Sequence, residues 1–456
     1  MQSYYIQTFG CQMNYSDSER MESYLQALGL TKGTSFHDSD IILFNTCSIK
    51  QKAEDKVYGY MKQISEIKKD KPDLMVVVAG CMVRNSSSKY SSERDRLFST
   101  MRELDIALKT EELPKLAMLA REIDPETKIP EIEEESLEDY FKISPTHDSA
   151  PSKAQAFVAI SNGCDKFCTY CIVPYSRGRE KSRKFDDIIA ECKQLAENGC
   201  KEVTLIGQTV NSYGLSKYDG EHETFGYLGE KEPFVYLLEE LDKLSELGLE
   251  RVRFTSPHPK DMSDQLIDAM ATLKTQMPHL HLPVQSGDNN TLKRMNRTYT
   301  VEKYRDIVEK LRAKIPDISI STDIIVGFCG ETDEEYQNTC DFFREMGFEH
   351  AYISQYSERR GTTAQRFIKD DIAAPVKKQR WYDLNEILKD NSRKSLERFR
   401  GRTVNVLVEN KHDDMYFGRN EHYKSVQFRS GRELIGKIVP VKITEVGEWH
   451  LEGELV

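Results

Sequence analysis

Three closely spaced cysteines are the residues of this chain with the most specific chemical meaning. Cys164, Cys168 and Cys171 follow a C-x3-C-x2-C pattern in the stretch "SNGCDKFCTYCIVPYSRGRE". A structural zinc site takes four ligands, whereas this loop offers three thiols and no nearby histidine. Three thiolates are better suited to an iron–sulfur cluster in which one iron keeps an open coordination position. The spacing therefore predicts a cluster that binds a small molecule at its open iron.

A second set of three cysteines is dispersed along the first part of the chain. Cys11, Cys47 and Cys81 follow the apolar runs "SYYIQTF", "DIILFNT" and "LMVVVAG". Such runs are typical of buried parallel strands, and the carboxyl ends of parallel strands meet at one edge of an open sheet. We expect the three thiols to converge there, although one cysteine alone at a strand end is usually a small apolar residue. The remaining cysteines, Cys192, Cys200, Cys329 and Cys340, are expected to be structural.

The order of the apolar runs predicts an α/β protein with three folded parts. The first hundred residues alternate strand-like and helical patterns, which favours a doubly wound parallel α/β domain. From residue 154, six strand-like runs separated by helical patterns predict a partial, TIM-like (β/α)6 barrel. Short runs with turn residues at the end of the chain predict a small β-barrel. We expect domains at residues 1–115, 151–392 and 393–456, and an acidic linker at 116–150.

Composition and charge narrow the class of protein. No stretch approaches the roughly 18 apolar residues that span a bilayer, and the N-terminus has no secretory pattern, so we expect a cytoplasmic protein with reduced thiols. The net charge of −11 is concentrated in one stretch. Residues 122–140 carry nine acids and one lysine, a net of −8, which leaves only −3 for the rest. By contrast, residues 391–402 hold five basic residues and one acid, a local patch that phosphates would recognise.

The contexts of the six cysteines resemble the radical S-adenosylmethionine (SAM) methylthiotransferase family. "TFGCQMNYSDSERM", "FNTCSIKQKAEDKV" and "VAGCM" are similar to its N-terminal domain, the C-x3-C-x2-C loop to its radical SAM domain, and the C-terminal module to the RNA-binding TRAM domain. The resemblance covers essentially the whole chain. It implies a [4Fe-4S] cluster on Cys164, Cys168 and Cys171 that binds SAM, and a second, auxiliary [4Fe-4S] cluster on the dispersed set.

The resemblance also implies a reaction and its partners. "TFGCQMN" looks most like the branch that adds a methylthio group at carbon 2 of N6-dimethylallyladenosine beside the tRNA anticodon. In that chemistry one SAM gives the radical that abstracts the hydrogen, and another methylates the sulfur. Other branches act on threonylcarbamoyl-adenosine or on a ribosomal protein aspartate, and a non-catalytic, metal-stabilised RNA-binding protein is a further alternative. We expect a monomer that uses an electron donor such as flavodoxin or ferredoxin, and an iron–sulfur carrier.

SAM requires polar groups on the loops that follow the barrel strands. Gln208 and Asn211 lie in "LIGQTVNSYG", which matches the family pattern after the second strand. The cofactor candidates are Tyr170, Gly207, Gln208, Asn211, Ser256, Gln285, Ser286, Arg294, Arg297, Thr322 and Asp323. Ordinary loop capping is the alternative for each polar side chain, and the two arginines could equally contact the RNA backbone or be surface charges.

Binding of tRNA requires basic side chains for the phosphates and aromatic rings for the bases. The candidates are Arg177, Arg179, Arg402, Lys411, Tyr416, Phe417, Arg419, Lys424 and Lys437. From Gly401 onward the chain has eight basic and nine acidic residues, so a basic face would have to be one-sided. A solvated face that binds nothing is the alternative for each charge.

Overall fold

The computed structural model describes residues 1–47, 51–126, 140–148, 150–216 and 230–456. Residues 127–139 and 149 of the predicted linker therefore lie outside the described part. The chain divides by its internal contacts into two compact units. The first unit comprises Met1–Ser149, Asn162–Cys164 and Cys171–Arg179, and the second comprises Ala150–Ser161, Asp165–Tyr170 and Glu180–Val456. In the described ranges no helix is both long and apolar enough to cross a membrane.

The first unit is built on a six-stranded sheet. In chain order its strands are β1 (Ser3–Thr8), β2 (Thr31–Lys32), β3 (Ile41–Thr46), β4 (Met75–Gly80), β5 (Ser87–Ser88) and β6 (Ile106–Leu108). They are arranged β2-β1-β3-β4-β6-β5, and all neighbours are parallel except the edge pair of β5 and β6. β3 and β4 are buried along their whole length, which explains their continuous apolar sequences. The predicted parallel α/β fold is confirmed, with three short strands that the sequence patterns did not indicate.

Helices cover both faces of this sheet. They are α1 (Gln12–Ala27), α2 (Gln51–Asp70) and α3 (Leu116–Ile123), and the short α4 (Val173–Ser176) also belongs to this unit. One apolar cluster joins Met21 and Leu25 of α1 to strand side chains, and a second, separate cluster includes Val57 and Ile64 of α2. α3 lies in the range assigned to the linker. Its buried Leu116 packs in the first of these clusters, so folded structure continues beyond residue 115.

The second unit contains the six strands predicted for the partial barrel. They are β7 (Gln155–Ala159), β10 (Glu202–Ile206), β11 (Arg251–Phe254), β12 (His279–His281), β13 (Ser319–Val326) and β14 (His350–Gln355), with short β8 (Ser161–Asn162) and β9 (Lys181–Ser182). The six form two parallel three-stranded sheets, β11-β10-β7 and β12-β13-β14. A single parallel bridge, Val252 to Gln276, lies where the two sheets adjoin. Eight helices are described here: α5 (Phe185–Glu197), α6 (Pro233–Asp242), α7 (Asp264–Thr272), α8 (Asn289–Arg294), α9 (Val301–Lys314), α10 (Asp333–Met346), α11 (Thr363–Phe367) and α12 (Ala374–Glu397).

The chain ends in a closed five-stranded barrel. Its strands are β15 (Thr403–His412), β16 (Met415–Arg419), β17 (Ser425–Arg429), β18 (Ile438–Val446) and β19 (Leu451–Leu455), arranged β15-β16-β17-β19-β18. The sequence patterns indicated the first four strands and missed β19, which closes the barrel by pairing parallel to β17. The domain boundary expected at residues 392–393 falls inside α12, which continues to Glu397.

Buried ion pairs attach this barrel to the amino ends of the strands of the second unit. Glu202, the first residue of β10, accepts a hydrogen bond from Nε of Arg253 at 2.8 Å. The same guanidinium donates to the main-chain oxygen of Asn420 at 3.1 Å, and Arg251 donates to that of Asn405 at 2.8 Å. All three charged side chains are almost fully buried. Such charges are tolerated only when they are paired and hydrogen-bonded.

Replacing Glu202 with alanine should therefore destabilise the second unit strongly. The change leaves Arg251 and Arg253 buried without their carboxylate, which costs about 3–5 kcal/mol. Glu250→Ala is the matched control, since Glu250 pairs with Lys201 at 3.4 Å on the surface and should change stability by about 0–1 kcal/mol. Urea unfolding of the two variants and the parent compares them, and equal losses would contradict the structural role of Glu202.

Candidate functional site

The first unit brings Cys11, Cys47 and Cys81 together at the carboxyl end of its sheet. Gly10 and Gly80 precede two of them, with φ angles of +145° and +91°. A Cβ on Gly10 would lie 2.8 Å from the Cβ of Cys47, so the absence of a side chain permits this approach. Although Cys11 is exposed at the surface, the protein around it displaces water and raises the pKa of its thiol, and the charge of Cys81 raises it further.

Two buried asparagines hold the strand ends in place. Nδ2 of Asn14 donates to Oδ1 of Asn45 at 3.2 Å and to the main-chain oxygen of Thr46 at 3.1 Å, and Nδ2 of Asn45 donates back to the oxygen of Asn14 at 2.7 Å. The amide of Cys11 donates to Oδ1 of Asn14 at 3.3 Å, and the amide of Cys81 donates to the oxygen of Thr46 at 2.8 Å. The sequence analysis missed both asparagines, although Asn14 belongs to the quoted motif "TFGCQMN".

Arg177 lies inside the first unit beside this cysteine set. Its Nε donates to Sγ of Cys81 at 3.4 Å, and its Nη2 pairs with Asp17 at 2.5 Å. Burial alone would lower the pKa of Arg177, but the charges of Asp17 and Cys81 hold it well above the ordinary value. The expectation that Arg177 contacts RNA is not supported, because its side chain is buried and already paired.

The C-x3-C-x2-C loop is also shaped by a glycine and contacted by an arginine. Gly163, with φ +84°, leaves no room for a side chain, since a Cβ there would lie 2.1 Å from the main-chain oxygen of Arg179. Cys164 and Cys168 are buried and Cys171 is half-buried. In the second unit, Nη1 of Arg297 donates to Sγ of Cys168 at 3.4 Å. A guanidinium bound to sulfur is favoured when that sulfur is a thiolate.

The chemistry of both sets fits an iron–sulfur cluster. Each set supplies three thiols, and in each set one sulfur accepts a hydrogen bond from a buried arginine. No disulfide is formed by the ten cysteines, all of which lie in the described ranges. Among the described residues, no group of three histidine, cysteine or acidic side chains could hold a single metal ion. In a cluster the thiolates bind separate irons, so its ligands need not converge on one ion.

The four cysteines expected to be structural are buried in apolar surroundings. Cys192, Cys200 and Cys340 belong to the main apolar core of the second unit, and Cys329 packs in a smaller cluster with Phe328 and Tyr356. Burial raises the pKa of all four thiols, to about 12 for Cys200. A thiol in such surroundings stays protonated and is a poor metal ligand.

Several predicted cofactor residues make hydrogen bonds or ion pairs within the protein. Asn211 bonds the main chain of His258 in both directions, at 3.0 and 2.7 Å. The hydroxyl of Thr322 donates to a main-chain oxygen at 2.8 Å and accepts from a main-chain amide at 2.9 Å. The hydroxyl oxygens of Ser286 and Thr339 are hydrogen-bonded at 3.3 Å. Arg294 forms an ion pair with Glu335 at 2.5 Å. Asn211, Thr322 and Ser286 therefore make the local contacts expected of loop capping, whereas Arg294 is held in an ion pair.

Other cofactor candidates keep features that suit a ligand. Ser256 and Gln285 have positive φ angles of 60° and 72°, and such backbone strain is concentrated at functional sites. Within the described residues, Oε1 of Gln208 is buried and accepts no hydrogen bond. A side chain on Gly207 would collide with the hydroxyl of Ser161 at 2.5 Å. Three candidates remain. Tyr170 and Asp323 are partly exposed: Tyr170 packs edge-on against Phe328, and an oxygen of Asp323 lies 3.4 Å from Nε2 of His281. Arg297 is buried and bonded to Cys168, as described above.

His258 is a polar group that the sequence analysis missed. Its Nδ1 accepts a hydrogen bond from the amide of Lys260 at 3.2 Å, so the neutral ring carries its hydrogen on Nε2. Burial, together with the positive charges of Arg297 and Lys166, holds its pKa well below the usual range. Nε2 is buried without a hydrogen-bond partner in the described ranges. The available signal was its position in "TSPHP", directly after β11.

Two of the predicted RNA contacts in the C-terminal barrel are occupied within the protein: Tyr416 is fully buried, and the side chain of Lys424 is only 12% exposed. Tyr416 points into the barrel core and its hydroxyl donates to the oxygen of Arg432 at 2.5 Å, so its ring offers no face to a base. Lys424 pairs with Glu349 at 2.5 Å, and burial lowers its pKa while Glu349 opposes that shift. Lys424 therefore attaches the barrel to the rest of the second unit.

The other predicted RNA residues remain accessible. Arg179, Arg402, Lys411 and Lys437 are exposed, and Phe417 is half-buried. Arg419 lies 3.8 Å from Glu409 and its guanidinium stacks 4.2 Å from the ring centre of Tyr423. The accessible set is therefore smaller than the sequence indicated.

Comparison with known proteins agrees with this architecture. The radical SAM superfamily matches residues 158–343, the uncharacterized protein family UPF0004 matches residues 3–99, and the TRAM domain matches residues 397–456. The tRNA-2-methylthio-N(6)-dimethylallyladenosine synthase of Bacillus subtilis (strain 168) is 40% identical, over 99% of this chain and 86% of that protein. The synthase of Staphylococcus aureus (strain MRSA252) is 38% identical, over 100% of this chain and 85% of its own.

The chain belongs to the tRNA-2-methylthio-N(6)-dimethylallyladenosine synthase family. It is thus an enzyme, a radical SAM methylthiotransferase, and the resemblance found from its motifs is confirmed. Radical SAM chemistry uses a [4Fe-4S] cluster and SAM. Among solved structures, the radical SAM methyltransferase TsrM of Kitasatospora setae has a TM-score of 0.54 with 14% identity, covering 78% of this chain and 73% of that one. That likeness concerns the fold alone.

Replacing Gly80 with alanine should disturb the convergence of the strand ends. A Cβ at this position would lie 2.4 Å from the main-chain oxygen of Thr46, and φ is +91°. We therefore expect the free energy of unfolding to fall by about 1–3 kcal/mol. Gly59→Ala is the control, because Gly59 lies within α2 and a Cβ there meets nothing within 4 Å. That change should stabilise the helix by up to about 1 kcal/mol. Denaturant unfolding measures both, and two effects of the same sign would contradict the analysis.

Proposed function

We propose that this enzyme installs a methylthio group at carbon 2 of N6-dimethylallyladenosine beside the anticodon of tRNA. The observation that carries the proposal is the similarity over essentially the whole chain to synthases named for that product, at 40% identity. The two cysteine sets and the C-terminal barrel support it, because the reaction needs radical chemistry, a sulfur source and an RNA substrate. The fold alone would not distinguish this substrate from threonylcarbamoyl-adenosine in tRNA or an aspartate of a ribosomal protein.

Two clusters are part of the proposal. Cys164, Cys168 and Cys171 would hold the cluster that binds SAM, and the set formed by Cys11, Cys47 and Cys81 would hold the auxiliary one. When bound, these [4Fe-4S] clusters supply the electron that cleaves SAM and the sulfur that is transferred. A separate SAM would provide the methyl group.

The residues of the chain would bind, orient and shield the reactants. The buried Nε2–H of His258 and the buried Oε1 of Gln208 are a donor and an acceptor that a bound SAM could complete, since buried polar groups are normally hydrogen-bonded. The strained backbone at Ser256 and Gln285 would present their side chains at the ends of the strands, where such enzymes place their sites. Cys47, Cys81, Cys164 and Cys168 are buried, which would limit the access of water to the two sets.

The remaining parts of the proposal concern partners and organisation. We propose that Arg179, Arg402, Lys411 and Lys437 contact tRNA phosphates, and that Phe417 stacks on a base. The protein would act in the cytoplasm as a monomer, with flavodoxin or ferredoxin as electron donor and an iron–sulfur carrier for assembly. The first domain would extend to about residue 123, because α3 begins directly after the expected boundary and packs in the core of the first unit. The last domain would begin near residue 397, because α12 crosses the expected boundary.

Cysteine substitutions separate the two clusters and test the function. Cys168→Ala should abolish 5′-deoxyadenosine formation, because it removes a ligand of the cluster that binds SAM. Cys47→Ala should retain that activity while losing the methylthio product, because it removes a ligand of the auxiliary cluster only. Product nucleosides from tRNA bearing dimethylallyladenosine are measured by mass spectrometry after anaerobic reaction.

The control is Cys192→Ala, a buried thiol in the apolar core that should leave both products unchanged. Normal 5′-deoxyadenosine formation by Cys168→Ala would contradict the assignment of the first cluster. A methylthio product formed on threonylcarbamoyl-adenosine tRNA in place of dimethylallyladenosine tRNA would overturn the proposed substrate.

Neighbouring aromatic residues on β16 test the proposed RNA contact. Phe417→Ala should weaken tRNA binding by about 1–3 kcal/mol, the contribution of one stacked base, with little effect on the melting temperature. Tyr416→Ala should instead destabilise the barrel, because it empties a fully buried site at a cost of about 3–5 kcal/mol. Fluorescence titration with tRNA and thermal unfolding distinguish them, and unchanged affinity for Phe417→Ala would remove that residue from the interface.

A further inference from the structure

Arg177 makes three hydrogen bonds with three different parts of the first unit. Its Nη2 donates to Oδ2 of Asp17 at 2.5 Å, its Nη1 to Oδ1 of Asn162 at 3.0 Å, and its Nε to Sγ of Cys81 at 3.4 Å. The side chain is only 3% exposed. Asn162 lies two residues before Cys164, so one guanidinium joins the start of the three-cysteine loop to a cysteine of the dispersed set.

A second layer of contacts fixes the position of Arg177. Asp17 is fully buried on α1, the helix that begins immediately after Cys11. Its other carboxylate oxygen accepts a hydrogen bond from the hydroxyl of Tyr140. The guanidinium of Arg20 lies 5.6 Å from the centre of the Tyr140 ring. Asp17, Asn162 and Cys81 are all buried, so the hydrogen bonds of Arg177 are shielded from water.

We propose that Arg177 is a positioning residue for the auxiliary iron–sulfur site, holding the sulfur of Cys81 and adding positive charge and a hydrogen bond to the cluster. The inference rests on the proposed assignment of Cys11, Cys47 and Cys81 as the ligands of that cluster. Cluster potentials depend on net charge and on hydrogen bonds to the sulfurs, so Arg177 raises the reduction potential of the auxiliary cluster. Lysine cannot replace it, because an ammonium group lacks the planar fork that reaches three acceptors.

The experiment uses the full chain with Cys164, Cys168 and Cys171 changed to alanine, which leaves the auxiliary cluster as the iron centre to be observed. Two substitutions are made in it: Arg177→Lys, and the double change Asp17→Asn with Arg177→Gln. The double variant leaves no unpaired buried charge, so it remains informative if the lysine variant fails to fold. After anaerobic reconstitution, iron content and the midpoint potential are measured, the latter by redox titration followed by electron paramagnetic resonance.

We expect both variants to shift the midpoint to more negative potential and to change the resonance signal, because each removes the guanidinium hydrogen bond to Sγ of Cys81 while the net charge of the site stays the same. Arg102→Gln is the matched control, since Arg102 is an exposed arginine of the same unit and should leave the midpoint unchanged. A folded double variant with full iron content and an unchanged midpoint would overturn the role of Arg177 alone. If the triple-alanine parent itself binds no iron, the ligand assignment in the proposed function fails, and this inference fails with it.

Discussion

The close approach of neighbouring strand ends is the constraint on which the cysteine site of the first unit depends. Adjacent strands lie about 4.8 Å apart, so residues that follow β1, β3 and β4 are crowded against one another. A side chain on Gly10 would strike the Cβ of Cys47, and one on Gly80 would strike the main chain of Thr46. Thiols can gather there because glycine precedes two of them. The side chains of Asn14 and Asn45 then form hydrogen bonds with the main-chain oxygens that are buried at these strand ends.

Several arginines and lysines hold the second unit together through ion pairs and hydrogen bonds and are not available for RNA. Arg251, Arg253 and Lys424 attach the C-terminal barrel to the amino ends of the strands, each through ion pairs or hydrogen bonds to the main chain. In barrels of this type the amino ends support stability, and chemistry is placed at the carboxyl ends. A lysine of the C-terminal barrel can therefore either bind RNA or attach the barrel to the rest of the unit. It attaches the barrel when a buried carboxylate lies next to it. For Lys424 that carboxylate is Glu349, which the sequence places seventy-five residues earlier.

Local sequence patterns predicted most of the fold and the six cysteines. This was possible because a strand, its end and the spacing of ligands each depend on only a few neighbouring residues. Tyr416 could have been recognised as buried by the same means, because β16 alternates between half-buried and buried positions and Phe417 takes the opposite face. Arg177 and Lys424 could not, because their partners Asp17 and Glu349 are distant in sequence. β19 was not predicted because its sequence "LEGEL" is short and has little apolar character. It forms a strand because it pairs with β17 and β18 and so closes the barrel.

The arginine contacts connect the fold to the charge state of the cysteines. Removing a guanidinium from water is costly unless anions and acceptors replace the lost hydration. Asp17 balances Arg177, and the remaining Nε–H is directed at a sulfur rather than at a carbonyl oxygen. Within the described ranges, Arg297 donates hydrogen bonds to the hydroxyl of Tyr299, the main-chain oxygen of Pro283 and Sγ of Cys168, none of which is a carboxylate. A neutral thiol is a weak acceptor, whereas a metal-bound thiolate supplies the missing negative charge. Burying arginine against sulfur is thus favourable to the extent that the sulfur is a thiolate, and under the proposed ligand assignment the binding of the clusters would be coupled to the stability of the fold.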